Sequence, residues 1–344
     1  MRPDVRWLAA AAAAVAVASA LSRAGAELRP SDASPIEAVG VTREGKTAYG
    51  LRADGALDAW DVGTGALRRV DVARFIALDP AGRWAVAPQP RPGAPDRMWN
   101  QFGAGLELWD LAARRRVATA KVDWQRPIHF EFSARVLVAG DLGDGIGLLV
   151  WDAATGKVRE PEAGFCPGAA AVTPDGRRAL CAEAGQKHEA AAVVLWDLAR
   201  MQIVRRMTLP EAAGARRVAG LTVSARGDRA IALLASEDGW DVRTSVVWSL
   251  ASGRVVKGPD ASAGGDATVR WSPDGRRLIL VGPGVALFPG APGGKGRPIW
   301  IGDRANGVRD AVFLPDGKRV LTGDGSGVLR LVDAANGRPL RASR

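Results

Sequence analysis

The chain has 344 residues, with 47 Lys or Arg against 37 Asp or Glu, a formal charge of +10 and a hydrophobic content of 47%. That length and apolar content allow a large packed core. Two His residues in the whole chain leave little raw material for haem ligation, a His-rich zinc site or a Ser-His-Asp triad.

Residues 1–26 combine Arg2 and Arg6, an apolar run from Trp7 to Leu21, and Ala24-Gly25-Ala26, a small-x-small cleavage pattern. The pattern predicts a secretory signal peptide and an exported chain, periplasmic or extracellular. An uncleaved anchor is the alternative, although the run falls short of the roughly 20 residues that span a bilayer. No later segment predicts a stable membrane span, and no Cys follows the run to carry a lipid. Residues 1–26 hold three Arg against one Asp, so the remainder keeps +8. Residues 27–35 read as an extended segment.

From residue 36 to 344 one unit recurs about every 45 residues. It consists of an apolar strand, a Pro-Asp-Gly-like turn, a second strand, a variable loop, a third strand ending in Trp-Asp, a Gly turn and a fourth strand. The turn stands unaltered at Pro174-Asp175-Gly176, Pro273-Asp274-Gly275 and Pro315-Asp316-Gly317. Five Trp residues are in register, Trp60, Trp109, Trp151, Trp196 and Trp248. In chain order, the first unit turns at Glu44-Gly45 and the second at Asp79-Pro80-Ala81-Gly82. The third has a shortened turn at Ser133-Ala134-Arg135, the fourth spans Ala169 to Trp196, and the fifth turns at Ala225-Arg226-Gly227. The sixth replaces Trp-Asp with Phe288-Pro289, and the seventh runs from Ala311 to Val332-Asp333. Alternation around the turns, as in Val269-Arg270-Trp271-Ser272, supports strands, and Asp-Gly permits the positive φ of a tight hairpin. The expected fold is all-β, a seven-bladed β-propeller of four-stranded antiparallel blades. Its ring is sealed either by Arg338 to Ser343 as the last strand or by residues 27–35.

On these residues the chain resembles the tryptophan-aspartate (WD) repeat β-propellers, as a bacterial-type exported member. The resemblance covers roughly residues 36 to 340 and is best at Phe313 to Asp324. The family's Gly-His pair before the first strand is absent, since neither His129 nor His188 follows a Gly. The family's His-centred hydrogen-bond network therefore cannot form, and the blades are expected to rest on apolar packing. In the family's topology the loops after the second and fourth strands share one face, the top.

The in-register Trp residues read as wedges between blades, each burying on the order of 150–250 Å². Asp61, Asp110, Asp152 and Asp197 follow four of them and are expected to accept backbone N–H groups of their turns. The non-repeated residues are the functional candidates. The loop from Pro88 to Gly103 carries Met98, Trp99 and Phe102; Trp124 with Arg126, and Trp240, fall on the same top face. Loop aromatics are costly to leave in water, and Trp and Arg dominate protein recognition.

Other motifs carry less. Gly140-Asp141-Leu142-Gly143-Asp144-Gly145 lacks the spaced ligands of a calcium loop, and its recurrence as Gly323-Asp324-Gly325-Ser326-Gly327 points to turn geometry. His188 beside Glu189 reads as a surface loop, and His129 as structural. Cys166 and Cys181 form either a disulfide or two buried thiols. If Thr173 faces Arg178, the hairpin register sets Cys166 opposite Gly185, so a bridge requires the strand to bend. Forty of the 47 basic residues are Arg. A basic surface favours anionic partners, yet along the sequence the Arg residues are scattered and no single footprint emerges.

The expected function is a non-enzymatic interaction scaffold whose top-face loops bind an envelope or secreted protein, with no cofactor, no metal, no catalytic residue and no nucleic-acid partner. The alternative is a propeller enzyme or small-ligand binder, similar to lactonase or quinone-dependent dehydrogenase propellers, with its site at the mouth of the central channel.

Overall fold

The computed structural model describes residues 34–90, 103–121, 126–133, 136–141, 146–152, 155–159, 169–184, 190–209, 217–235, 242–257, 267–282, 285–288, 298–301 and 307–340. Residues 1–26, with the expected signal peptide, lie outside these, as does most of the segment 27–35.

The first sheet holds β1 (Ile36–Val41), β2 (Thr47–Arg52), β3 (Leu57–Asp61) and β4 (Leu67–Arg69). The second holds β5 (Ala77–Leu78), β6 (Trp84–Pro90), β7 (Gly103–Asp110) and β8 (Arg115–Ala120). In the third are β9 (Arg126–Phe132), β10 (Val136–Asp141), β11 (Ile146–Trp151) and β12 (Val158–Arg159). The fourth contains β13 (Ala170–Val172), β14 (Arg178–Ala184), β15 (Ala190–Asp197) and β16 (Gln202–Thr208). β17 (Arg217–Val223), β18 (Arg229–Ala235), β19 (Val242–Ser249) and β20 (Val255–Lys257) form the fifth. β21 (Thr268–Trp271), β22 (Leu278–Val281), β23 (Val285–Phe288) and β24 (Ile299–Ile301) form the sixth. The last sheet has three strands, β25 (Val308–Phe313), β26 (Arg319–Asp324) and β27 (Leu329–Asp333).

Each sheet is an antiparallel meander, and first strands of neighbouring sheets approach one another, as β13 does β17, β21 does β25 and β25 does β1. The sheets are therefore blades arranged around an axis with their first strands innermost. This is a β-propeller. Six blades have the expected four strands. In the last, the fourth strand is represented among the described residues by a bridge between Val332 and Pro339, flanked by bonds from Asp333 N to Arg338 O at 2.8 Å and from Leu340 N to Leu331 O at 3.0 Å. Of the two expected sealing segments, the carboxyl-terminal one thus pairs with β27.

The turns form for the reason their composition suggests. Gly176, Gly275 and Gly317 sit at φ of 66°, 68° and 64°, a region glycine enters without a Cβ penalty. Four of the turns between third and fourth strands likewise set Gly at positive φ, as the fourth residue after Trp60-Asp61, Trp151-Asp152, Trp248-Ser249 and Val332-Asp333, but the second and fourth blades place Arg114 (φ 51°) and Met201 (φ 53°) there.

The core is divided into apolar interfaces, each shared by adjacent blades. Met207 and Leu195 of the fourth blade pack with Val218, Val246 and Trp248 of the fifth. Ile36, Val39 and Trp60 of the first pack with Leu314, Leu321 and Leu329 of the last, which closes the ring. Between the first two blades the backbones come so close that a Cβ on Gly40 would lie 2.4 Å from Asp79 O.

Arginine adds a second kind of contact between blades. Arg159 donates to Leu198 O at 2.8 Å, Arg270 to Ala311 O at 2.9 Å, and Arg277 to Gly317 O and Ala334 O. A planar, always-charged fork reaching carbonyls of the next blade stitches two sheets that share no ladder.

Cys181 is fully buried opposite Ala170, in the register anticipated from Thr173 facing Arg178, and is disulfide-bonded. The chain's other cysteine, Cys166, lies outside the described residues.

Candidate functional site

The antiparallel meander sends the turns after first and third strands to one end of the ring, and the loops after second and fourth strands to the other. The sequence-derived candidates were expected at that second end. Met98, Trp99, Phe102, Trp124 and Trp240 lie outside the described residues, as does His188. Arg126 is the first residue of β9, its backbone opposite Asp141, and His129 stands opposite Ala139.

The repeated residues are occupied by structure. Trp60, Trp151, Trp196 and Trp248 are at most 3% exposed, and their indole Nε1 atoms have no hydrogen-bond partner among the described residues. Trp109 differs: it is partly exposed, meets Phe75 edge-on at 6.2 Å, and donates to Glu107 at 3.1 Å, while Glu107 also pairs with Arg116 at 2.6 Å. The aspartates after the Trp residues accept turn N–H groups: Asp61 from Gly63 and Thr64, Asp110 from Ala113, Asp152 from Thr155, and Asp197 from Ala199 and Arg200. Asp324 likewise accepts from Ser326 N at 2.9 Å and Val328 N at 3.0 Å, with Arg330 on its other oxygen. The Gly-Asp-Gly stretch is thus a turn locked by its own backbone.

Acidic charge on the innermost strands is sparse. Among the described residues these strands carry three carboxylates, Glu37, Glu131 and Asp310, of which Glu37 alone is exposed. Glu37 on β1 pairs with Arg309 on β25 at 2.9 Å. One residue on, Asp310 is buried and joins three blades. One of its oxygens accepts from Val39 N at 2.8 Å, and the other from Ala311 N and Arg270, each at 2.9 Å. Burial pushes its carboxyl above the ordinary carboxylate range, against the pull of the Arg270 guanidinium and the two N–H groups. A second knot ties the first blade, where Asp58 accepts Arg52 at 2.7 Å and Arg69 at 3.0 Å. These constellations pair every acid with a base or an amide, and so fix blades in place. Sequence reasoning missed Asp310 because its partners lie 40 and 271 positions away. Among the described residues no group of three or more His, Cys, Asp or Glu is arranged to hold a metal.

Asp79 is a further buried carboxyl, in the second blade's first turn, accepting from Ala81 N at 2.9 Å and Arg83 N at 3.3 Å. Burial raises it from 3.8 to about 6, and Glu131 of the next blade adds to the rise. A carboxyl raised in the folded state stabilises fully below its unfolded value and loses that contribution as pH climbs through the folded one. The loss amounts to about 3 kcal/mol for a shift of this size. An Asp79→Asn variant should therefore gain on the native chain between pH 4 and 7, read as the difference between their unfolding free energies. A difference that does not move with pH would show that Asp79 titrates normally.

No protein-family model matches the chain, and no curated protein matches it. Among solved structures it is similar to Kuenenia stuttgartiensis hydrazine synthase, with a TM-score of 0.62 over 89% of this chain and 97% of that one. Sequence identity is 13%. The likeness is one of fold.

Proposed function

We propose that the chain is an exported, non-enzymatic seven-bladed propeller, with β25 to β27 as the seventh blade, that presents the loops of its top face to an envelope or secreted protein. The observation that carries this reading is that the repeated Trp and Asp residues are spent on packing and turns, which turns attention to residues the repeat does not require, Met98, Trp99, Phe102, Trp124, Arg126 and Trp240; of these only Arg126, the first residue of β9, lies among the described residues. The disulfide at Cys181 supports an oxidising destination, in keeping with the leader-like residues 1–26. Affinity capture with residues 27–344 from an envelope extract tests it. A stoichiometric protein partner is expected, lost when Trp99, Trp124 and Trp240 are all changed to Ala; capture unchanged by that triple substitution sinks the proposed face.

The second reading is a small-ligand or enzyme site at the channel mouth, supported by the exposed Glu37–Arg309 pair between the innermost strands and by the enzyme named among structurally similar proteins. Native mass spectrometry of the captured chain separates the two. A bound small molecule or metal without a protein favours the channel.

A further inference from the structure

The basic residues that look scattered along the chain are gathered by the fold. The turns after first and third strands leave the same end of every blade. Their described residues are 42–47, 79–84, 173–178, 224–229, 272–277 and 314–319 after first strands, with 61–66, 110–115, 152, 155–157, 197–201, 249–254 and 333–338 after third strands. Together these segments carry 17 Lys or Arg against 11 Asp or Glu, a net +6. At the other end the described connecting residues balance, Arg74 and Lys121 against Asp54 and Asp71.

The two signs are also placed differently. Nine of the ten aspartates at the basic end accept backbone N–H groups of their own turns, as Asp175 does from Arg177, Asp274 from Arg276, and Asp316 from Lys318 and Arg319. Those bonds hold Asp61 and Asp197 below the usual carboxylate range. The cations stand at exposed positions of the same turns. The residue directly after the turn glycine is basic in five of the six described first turns: Lys46, Arg83, Arg177, Arg276 and Lys318, all exposed. Arg83 lies over the Trp84 ring at 4.2 Å, while Lys46, Arg177 and Arg276 lie close enough to Asp61, Asp175 and Asp274 to help lower those carboxyls. Arg226, beside Gly227, is exposed too, and Arg43, Lys46, Arg177, Arg226, Arg276 and Lys318 form no ion pair among the described residues.

We infer that this end of the ring is a docking surface for an anionic lipid bilayer, to which the turn cations bind headgroup phosphates. The geometry selects a bilayer over other polyanions. Turn tips at one end of every blade form an array around the axis, and a planar layer of phosphates meets them all at once. A nucleic-acid strand meets only a line of them, and such binders interleave aromatic side chains with the charge, whereas the described turns expose no aromatic. Arginine forks bind phosphate bidentately, and hairpin turns hold them with little ordering left to do. The surface lies opposite the top-face loops, so it is independent of the proposed protein-binding role and leaves those loops facing away from the membrane.

The test is flotation of residues 27–344 with phosphatidylcholine vesicles and with vesicles in which about a third of the lipid is phosphatidylglycerol. The leader is omitted because its apolar run would itself enter a bilayer, and residues 27–344 contain every described element. Binding to the anionic vesicles alone is expected, lost as salt rises well above about 0.15 M. A variant with Lys46, Arg177, Arg226, Arg276 and Lys318 all changed to Gln should bind at least about thirtyfold more weakly, with its thermal unfolding unchanged, whereas Arg74→Gln with Lys121→Gln should bind as the native chain does. Equal binding to both vesicle types, full binding by the five-site variant, or tighter binding to duplex DNA or inorganic polyphosphate than to the anionic vesicles would overturn the inference. Loss of protein capture by the loop triple variant leaves this result untouched, so the two readings fail separately.

Discussion

Replacing Trp248 with alanine is expected to cost about 3–5 kcal/mol of unfolding free energy, whereas Trp248→Phe should cost less than about 1.5 kcal/mol. Trp248 is fully buried in the interface of the fourth and fifth blades, against side chains such as Met207, Val218 and Val246. Alanine removes most of that apolar surface and leaves a cavity between two sheets with no ladder in common. Phenylalanine keeps a ring and discards an indole N–H that has no acceptor, so no hydrogen bond is lost with it. Chemical denaturation of the two variants decides the point. If Phe proved as costly as Ala, the indole N–H would have a partner after all, and the blades would rest on a polar network as in the family the sequence resembles.

Asp310→Ala is expected to destabilise by about 3 kcal/mol or more, as breaking a buried charge pair commonly does. The substitution leaves Arg270, mostly buried, without its carboxylate and takes the acceptor from Val39 N. It acts where the first blade meets the last, so the ring should open there first: limited proteolysis is expected to cut near residues 34–41 and 307–313 before any other blade. Asp310→Asn, which keeps an acceptor for Val39, should recover part of the loss. Uniform cleavage around the ring, or an Ala variant as stable as the native chain, would show that apolar packing alone holds the closure.

The blades were legible in the sequence because their signals are local. A Gly at positive φ, an Asp two residues from the N–H it caps, and alternating apolar residues act within six or seven positions, so Pro273-Asp274-Gly275 and Trp248 announce their roles without reference to any other blade. In the last blade the expected strand from Arg338 to Ser343 is represented, among the described residues, by the bridge between Val332 and Pro339. Trp99 and Trp240 stand out for the complementary reason, as residues the repeat does not require.

The sequence by itself determined a repeated antiparallel β unit, its turns, its wedge tryptophans and the capping aspartates. Only the tertiary structure decided what each arginine does. Arg270, Arg277 and Arg159 reach carbonyls on the next blade, some 40 residues onward, while Arg177 and Arg276, equally prominent in the sequence, are left on the turn face. It also decided that Asp310 and Val39, 271 residues apart, meet to close the ring. The physical reason is the blade period: positions about 45 residues apart become neighbours around an axis, so charges that are dilute along the chain become dense on one end of the fold, where Coulomb interactions act through space and not along the backbone.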